Sequence, residues 1–155
     1  MYHVVQLTCT ARYIIIYLEP SMRMQDKVLF ALFGAAFWVI GTVWYEIRGP
    51  HVFESTSQRY WINFALTPVL SAAICILLLK WRHVTATEWP SAALLIALPG
   101  MFGEAVLLSR FASFMPRMHA ETAGKYGAFL FASYALFLTI AEIVAVRASG
   151  GEVLR

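Results

Sequence analysis

Four apolar runs, each close to twenty residues long and broken at most by a single acid, constrain this chain more than anything else in it. They cover residues 28–45, 61–79, 90–108 and 126–146. An α-helix rises 1.5 Å per residue, so a run of ~20 residues crosses the ~30 Å of hydrocarbon in a bilayer. Charged residues bracket the runs: Asp26 and Lys27 precede the first, Arg59 the second, and Lys80 and Arg82 follow the second. Aromatic residues stand at the edges, among them Trp44, Tyr45, Tyr60, Trp61, Trp81, Trp89 and Tyr126, where amphipathic rings prefer the headgroup level. The predicted fold class is all-α: a polytopic membrane protein with an antiparallel bundle of four transmembrane helices. The bundle should occupy residues 27–147, between an N-terminal arm (1–26) and a C-terminal tail (148–155).

Composition excludes most soluble functions. Hydrophobic residues make up 60% and charged residues 14% of the chain, against roughly 45–50% and about 25% in soluble domains. The lipid bilayer is therefore the expected partner. The net charge of +3 does not predict nucleic-acid binding, because the basic residues sit at the ends of apolar runs, where they anchor to headgroups. Cys9 and Cys75 form no disulfide framework. There is no P-loop, nucleophile elbow or zinc-protease signature, so no enzyme activity and no cofactor are expected. His3, His51, His83 and His119 all lie outside the middles of the runs, which disfavours a haem held between helices. His51 and His119 should share one side with Glu46, Glu54 and Glu121, but without ligand spacing no metal site is predicted.

The connections differ in character. Residues 82–88 form a short link, so helices two and three are expected as an antiparallel hairpin. The first connection, 47–59, carries Gly49, Pro50 and a Ser/Thr cluster. The third, 109–125, contains FASFMPRMHAETAG, whose mix of Phe, Met and basic residues suits the membrane interface. The segment before Met22 has an apolar stretch too short to span, 13–18, ended by Glu19 and Pro20. A translation start at Met22 or Met24 and a short amphipathic arm both account for it. With the N-terminus inside, Arg12, Arg23, Lys27, Lys80, Arg82, Arg147 and Arg155 are cytoplasmic, against Arg48, Arg59, Arg110, Arg117 and Lys125 outside. The excess of basic residues inside predicts cytoplasmic termini.

Polar residues inside the runs are the candidates for function. Asn63, Thr67, Ser71 and Cys75 recur every four residues and share one face of helix two. Such a stripe faces protein or water, as interhelical glue or as a polar wall. Pro68 frees a backbone carbonyl beside it. Glu104 lies in helix three after Pro99, Gly100 and Gly103, where Pro99 and Gly100 are expected to break the helix. A carboxylate in that position must be protonated, paired or hydrated. Arg48, Arg59, Arg110 and Lys125 are its candidate partners. Glu142, near the other end of helix four, is expected to pair with Lys27, Lys80 or Arg82. Small residues mark packing faces: Gly34 and Gly41 on helix one, and Ala128, Ala132, Ala135 and Thr139, in line with Glu142, on helix four.

Two stretches, RYWINFALTPVLSAA and PGMFGEAVLLSRFASFMPRMHAETAGKYGAFLFASYALFL, resemble a bacterial family of small four-helix membrane proteins classed as a domain of unknown function. Pro99, Gly100 and Met101 match its Pro-Gly-Met turn, and Glu104 stands where that pattern carries Asp. The resemblance runs from about Met24 to Arg147. It implies a four-helix fold and an inner-membrane location, and it lends no activity.

Two functional classes stand ahead of a third, a membrane enzyme acting at the face formed by the first and third connections. One is a small transporter or channel-like protein acting as an oligomer, motivated by Glu104, Pro99 and the stripe on helix two. The other is a non-catalytic accessory or scaffold subunit of a larger membrane complex, motivated by the small-residue faces. A homodimer or a larger complex is the expected assembly.

Overall fold

A computed structural model gives the fold of residues 22–153. The arm before Met22, with Cys9 and the two alternatives raised for it, lies outside the described residues. Four long helices dominate: α1 (Met24–Gly49), α2 (Ser57–Trp81), α3 (Trp89–Ser109) and α4 (Ala123–Val153). The stretches Met24–Glu54, Ser57–Trp81, Ala86–Ser109 and Ala120–Gly150 are long and apolar enough to cross a membrane. The fold is the expected all-α bundle of a multi-pass membrane protein.

Local chemistry explains the helix ends. Pro50 has no N–H to give the carbonyl one turn back, and α1 widens there into a π-helical turn, Pro50–Glu54. Thr56, in extended conformation, caps α2 by accepting a bond from the Arg59 amide at 3.3 Å. His83 stops α2 with a left-handed φ of 53°. Pro90 stands in the first turn of α3, where a missing N–H costs nothing. Two boundaries differ from expectation: α1 and its π turn take up most of the predicted first connection, and α4 runs through most of the predicted tail.

In space, α1 packs on α3, α3 on α4, and α4 on α2. Helices α2 and α3 are antiparallel as their short link requires, but they lie diagonally and hardly touch. That leaves α1 and α2 as neighbours with a gap between them. The gap is tied at both ends. At the end holding the second connection, Arg82 pairs with Asp26. At the opposite or far end, Tyr45 donates to Asn63 Oδ1 at 3.1 Å.

Two apolar clusters close the ends of the bundle. The first, around Phe30, Leu79, Ile96 and Phe137, sits toward the second connection. The second joins Tyr45, Phe53, Leu107 and Tyr126 to Phe111, Met115 and Met118 of the third connection. That connection includes a one-turn helix, Phe111–Phe114. Phe111, Met115 and Met118 plug the far end of the bundle, buried in a ready aromatic pocket, while Phe114 stays 45% exposed. Tyr45 and Tyr126 were expected in the interfacial belt. They are buried here, while Trp44, Trp61 and Trp81 are exposed.

Candidate functional site

Between the two clusters, all four helices surround a cavity of about 530 Å³. Each helix contributes a face whose spacing follows its period. On α2 the predicted stripe Asn63, Thr67, Ser71 and Cys75 lines the cavity in full. Across the gap, α1 presents Trp38, Gly41, Thr42 and Tyr45. The other walls include Gly100 and Glu104 of α3 and Tyr126, Ser133 and Tyr134 of α4.

Glu104 is only 5% exposed. Its Oε1 accepts the Trp38 indole N–H at 3.1 Å and faces the Tyr126 hydroxyl at 3.4 Å. None of the cations expected to neutralise it does so, since Glu104 has no ion pair among the described residues. Its second oxygen, Oε2, is buried with no hydrogen-bond partner among the described residues. The same holds for Thr42 Oγ1 and Asn63 Nδ2, and all three residues border this cavity.

Asn63 is the hub of the opposite wall. Its Oδ1 receives bonds from Tyr45 and from Thr67, the latter at 2.9 Å. Rotating the amide by 180° exchanges an orphan donor for an orphan acceptor and leaves one end unpartnered either way. Buried polar groups are rarely left without partners, and each one costs ~1–3 kcal/mol. Three residues around one space each carry such an atom.

Close approach at two glycines builds the α1–α3 side. A methyl group on Gly34 would overlap the backbone carbonyl of Ile96, and one on Gly103 would overlap the indole of Trp38. Gly34 thus brings the helices together, and Gly103 lets the indole lie against α3 with its N–H on Glu104. Gly41, the other glycine of the predicted heptad pair, has nothing within 4 Å of such a methyl. It borders the cavity instead of a packing seam.

Several expectations need correction. Pro99 and Gly100 do not break α3, which is continuous from Trp89 to Ser109. Pro99 removes the N–H that would bond the carbonyl of Leu95, but the flanking turns hold the helix, and Gly100 leaves room for the Tyr134 hydroxyl. Glu142 is exposed and has no ion pair among the described residues, and Arg82, one of its three expected partners, is engaged by Asp26 instead. On the small-residue face of α4, Ala128, Ala135 and Thr139 are exposed in the single chain and Ala132 is half-buried. His119 does meet Glu54: its amide and Nδ1 lie 2.7 and 2.9 Å from the two carboxylate oxygens, and Thr122 donates at 2.7 Å. These contacts clamp the first connection to the third. No group of three or more His, Cys, Asp or Glu side chains placed to hold a metal occurs among the described residues.

The sequence profile of a family of unknown function, DUF5367, matches residues 52–148. The match covers well over half of the chain, and the chain belongs to that family. It takes in α2, α3 and most of α4, including Asn63 and Glu104, but not α1 with Trp38 and Thr42. Comparison with curated proteins gave no match, and comparison with solved structures gave none either.

Proposed function

We propose that this protein is a small membrane transporter of the bacterial inner membrane, with the cavity around Glu104 as its substrate site. The carrying observation is that three residues bordering one cavity each carry a buried polar atom with no partner among the described residues: Glu104 Oε2, Thr42 Oγ1 and Asn63 Nδ2. A purely structural acid would be expected to sit in a closed ion pair, because an unpaired carboxylate inside a membrane is costly. The basic residues favour cytoplasmic termini. The outward small-residue face of α4 favours a homodimer, since such faces let helices approach closely in lipid.

Solute-driven proton movement tests the reading. In proteoliposomes with a trapped pH dye, addition of a substrate should dissipate an imposed pH gradient with the wild-type protein and not with Glu104→Gln. Equal flux from both proteins would remove the main support.

The α4 face also favours a second reading, that of a non-catalytic accessory subunit. Purification from native membranes in mild detergent separates the two. A homodimer alone supports the transporter, and a stable larger partner supports the accessory role.

A further inference from the structure

The chemistry of the cavity wall narrows what it would take. We infer that the site binds a lipophilic ammonium ion, which enters sideways from the bilayer between α1 and α2. The inference rests on the reading of the cavity as a substrate site and adds to it the ligand class and the route.

Charge comes first. Of the described residues lining the cavity, one is an acid, Glu104, and none is Lys, Arg or His. An anion would meet an uncompensated carboxyl, and a cation would meet its complement. Hydrogen bonding then selects a cation that carries N–H. Glu104 Oε2 and Thr42 Oγ1 both accept, and the Asn63 amide accepts in its rotated orientation. An alkylammonium group brings up to three donors to such a wall, whereas a quaternary ammonium brings none. The surrounding rings of Trp38, Tyr45, Tyr126 and Tyr134 add aromatic surface that attracts cations. Most of the remaining wall is apolar, which suits an apolar body. The volume, about 530 Å³, falls within the ~300–1,000 Å³ typical of small-molecule sites.

The route follows from which lining residues are exposed. Ile40 and Trp44 both border the cavity, yet they are 69% and 58% exposed on the outside of the bundle. The cavity therefore reaches the outer surface at the α1–α2 gap. Ile40 lies ~13 Å inside the far end of α1 at 1.5 Å per residue, at a depth where the surroundings are hydrocarbon. At the far end, the Phe111, Met115 and Met118 plug closes the bundle. At the other end, the Phe30 and Leu79 cluster does so. A ligand that partitions into lipid meets the site through its side.

The test uses full-length protein in nanodiscs and three probes with one apolar body: 4-phenylbutylammonium, its N,N,N-trimethyl derivative, and 4-phenylbutanol. Binding is read by calorimetry against empty nanodiscs. The ammonium should bind saturably, at least tenfold more tightly than either the trimethyl derivative or the alcohol. Glu104→Gln should weaken the ammonium at least tenfold and leave the alcohol unchanged. Equal affinities for ammonium and alcohol, or an ammonium affinity indifferent to Glu104→Gln, would overturn the ligand class. Thr42→Val provides a second variant should Glu104→Gln fail to fold, and it should weaken the ammonium selectively. Ile40→Trp narrows the gap without touching the polar wall. It should slow association severalfold, and an unchanged association rate would overturn the lateral route. Selective binding without solute-driven proton flux would sink the transport reading and leave the cation site standing. Flux without selectivity for the ammonium would do the reverse.

Discussion

The indole N–H of Trp38 reaches Glu104 Oε1 over 3.1 Å and ties α1 to α3 inside the apolar span. Gly103 makes the approach possible, because any side chain there would meet the indole ring. Glu104 is thereby held by one oxygen, while the other is buried with no hydrogen-bond partner among the described residues.

Replacing Trp38 by Phe keeps an aromatic ring and removes the donor. A buried acceptor that loses its partner costs ~1–3 kcal/mol. Trp38→Phe should therefore lower the unfolding free energy in detergent micelles by about that amount. A variant as stable as the wild type would mean that this bond does not hold Glu104.

The two glycines of α1 should respond oppositely to the same substitution. Gly34→Ala drives a methyl into the Ile96 carbonyl. Backbone cannot give way as a side-chain tip does, so a loss of ~1–3 kcal/mol or more is expected from overpacking. Gly41→Ala meets nothing within 4 Å and should stay within ~0.5 kcal/mol of the wild type. Thermal unfolding of the pair side by side checks the seam. Equal losses would show that the close approach at Gly34 is wrong.

Much of the architecture was legible because membranes impose length and apolarity on each span. Asn63, Thr67, Ser71 and Cys75 were readable as one wall for a similar reason, since polar residues at four-residue spacing stand out against an apolar background. The facing wall on α1 was not. Gly34, Trp38, Gly41, Thr42 and Tyr45 share one helical face, but only the glycines registered as a pattern, and Tyr45 looked like an interfacial anchor. Its burial depends on a partner, Asn63, that no local spacing reveals. The plug from the third connection escaped for the same reason: Phe111, Met115 and Met118 show an apolar preference, but not whether lipid or protein will satisfy it. A proline in an apolar run indicates a lost bond. It does not indicate whether the helix bends or holds, and around Pro99 it holds.

The outward small-residue face of α4 should be found at a dimer seam. Ala128 and Ala135 are exposed there one above the other, with Thr139 beyond them. Ala135→Cys should crosslink to a second copy when native membranes are oxidised. Phe102→Cys, exposed on α3, should not. Crosslinking at both positions alike would indicate random collision, and crosslinking at neither would remove the proposed dimer.

At the far end, Glu54 gathers His119 and Thr122. Thr122 is only 6% exposed, so its hydroxyl depends on this carboxylate. Glu54→Ala should release the third connection, with faster amide hydrogen exchange around residues 118–122 and a stability loss of ~1–3 kcal/mol. Glu54→Gln retains one acceptor oxygen and should fall between the two. Unchanged exchange in Glu54→Ala would show that the clamp does not order this connection.

The sharpest contrast lies between two threonines on facing walls. Thr67 donates to Asn63 at 2.9 Å, and Thr42 has a buried hydroxyl with no partner. Valine matches threonine in shape and lacks the hydroxyl, so the same substitution asks opposite questions of the two sites. Thr67→Val breaks a bond that is made and should destabilise by ~0.5–1.5 kcal/mol. Thr42→Val removes an unmet group and should stabilise the empty protein, by up to ~1–3 kcal/mol, the usual cost of an orphan. Groups kept for function commonly lower stability in this way. Unfolding free energies of both variants in the same detergent, without added ligand, check the signs. Loss of stability in both would show that water already satisfies Thr42, and with it that the cavity is hydrated at that wall and not poised for a ligand.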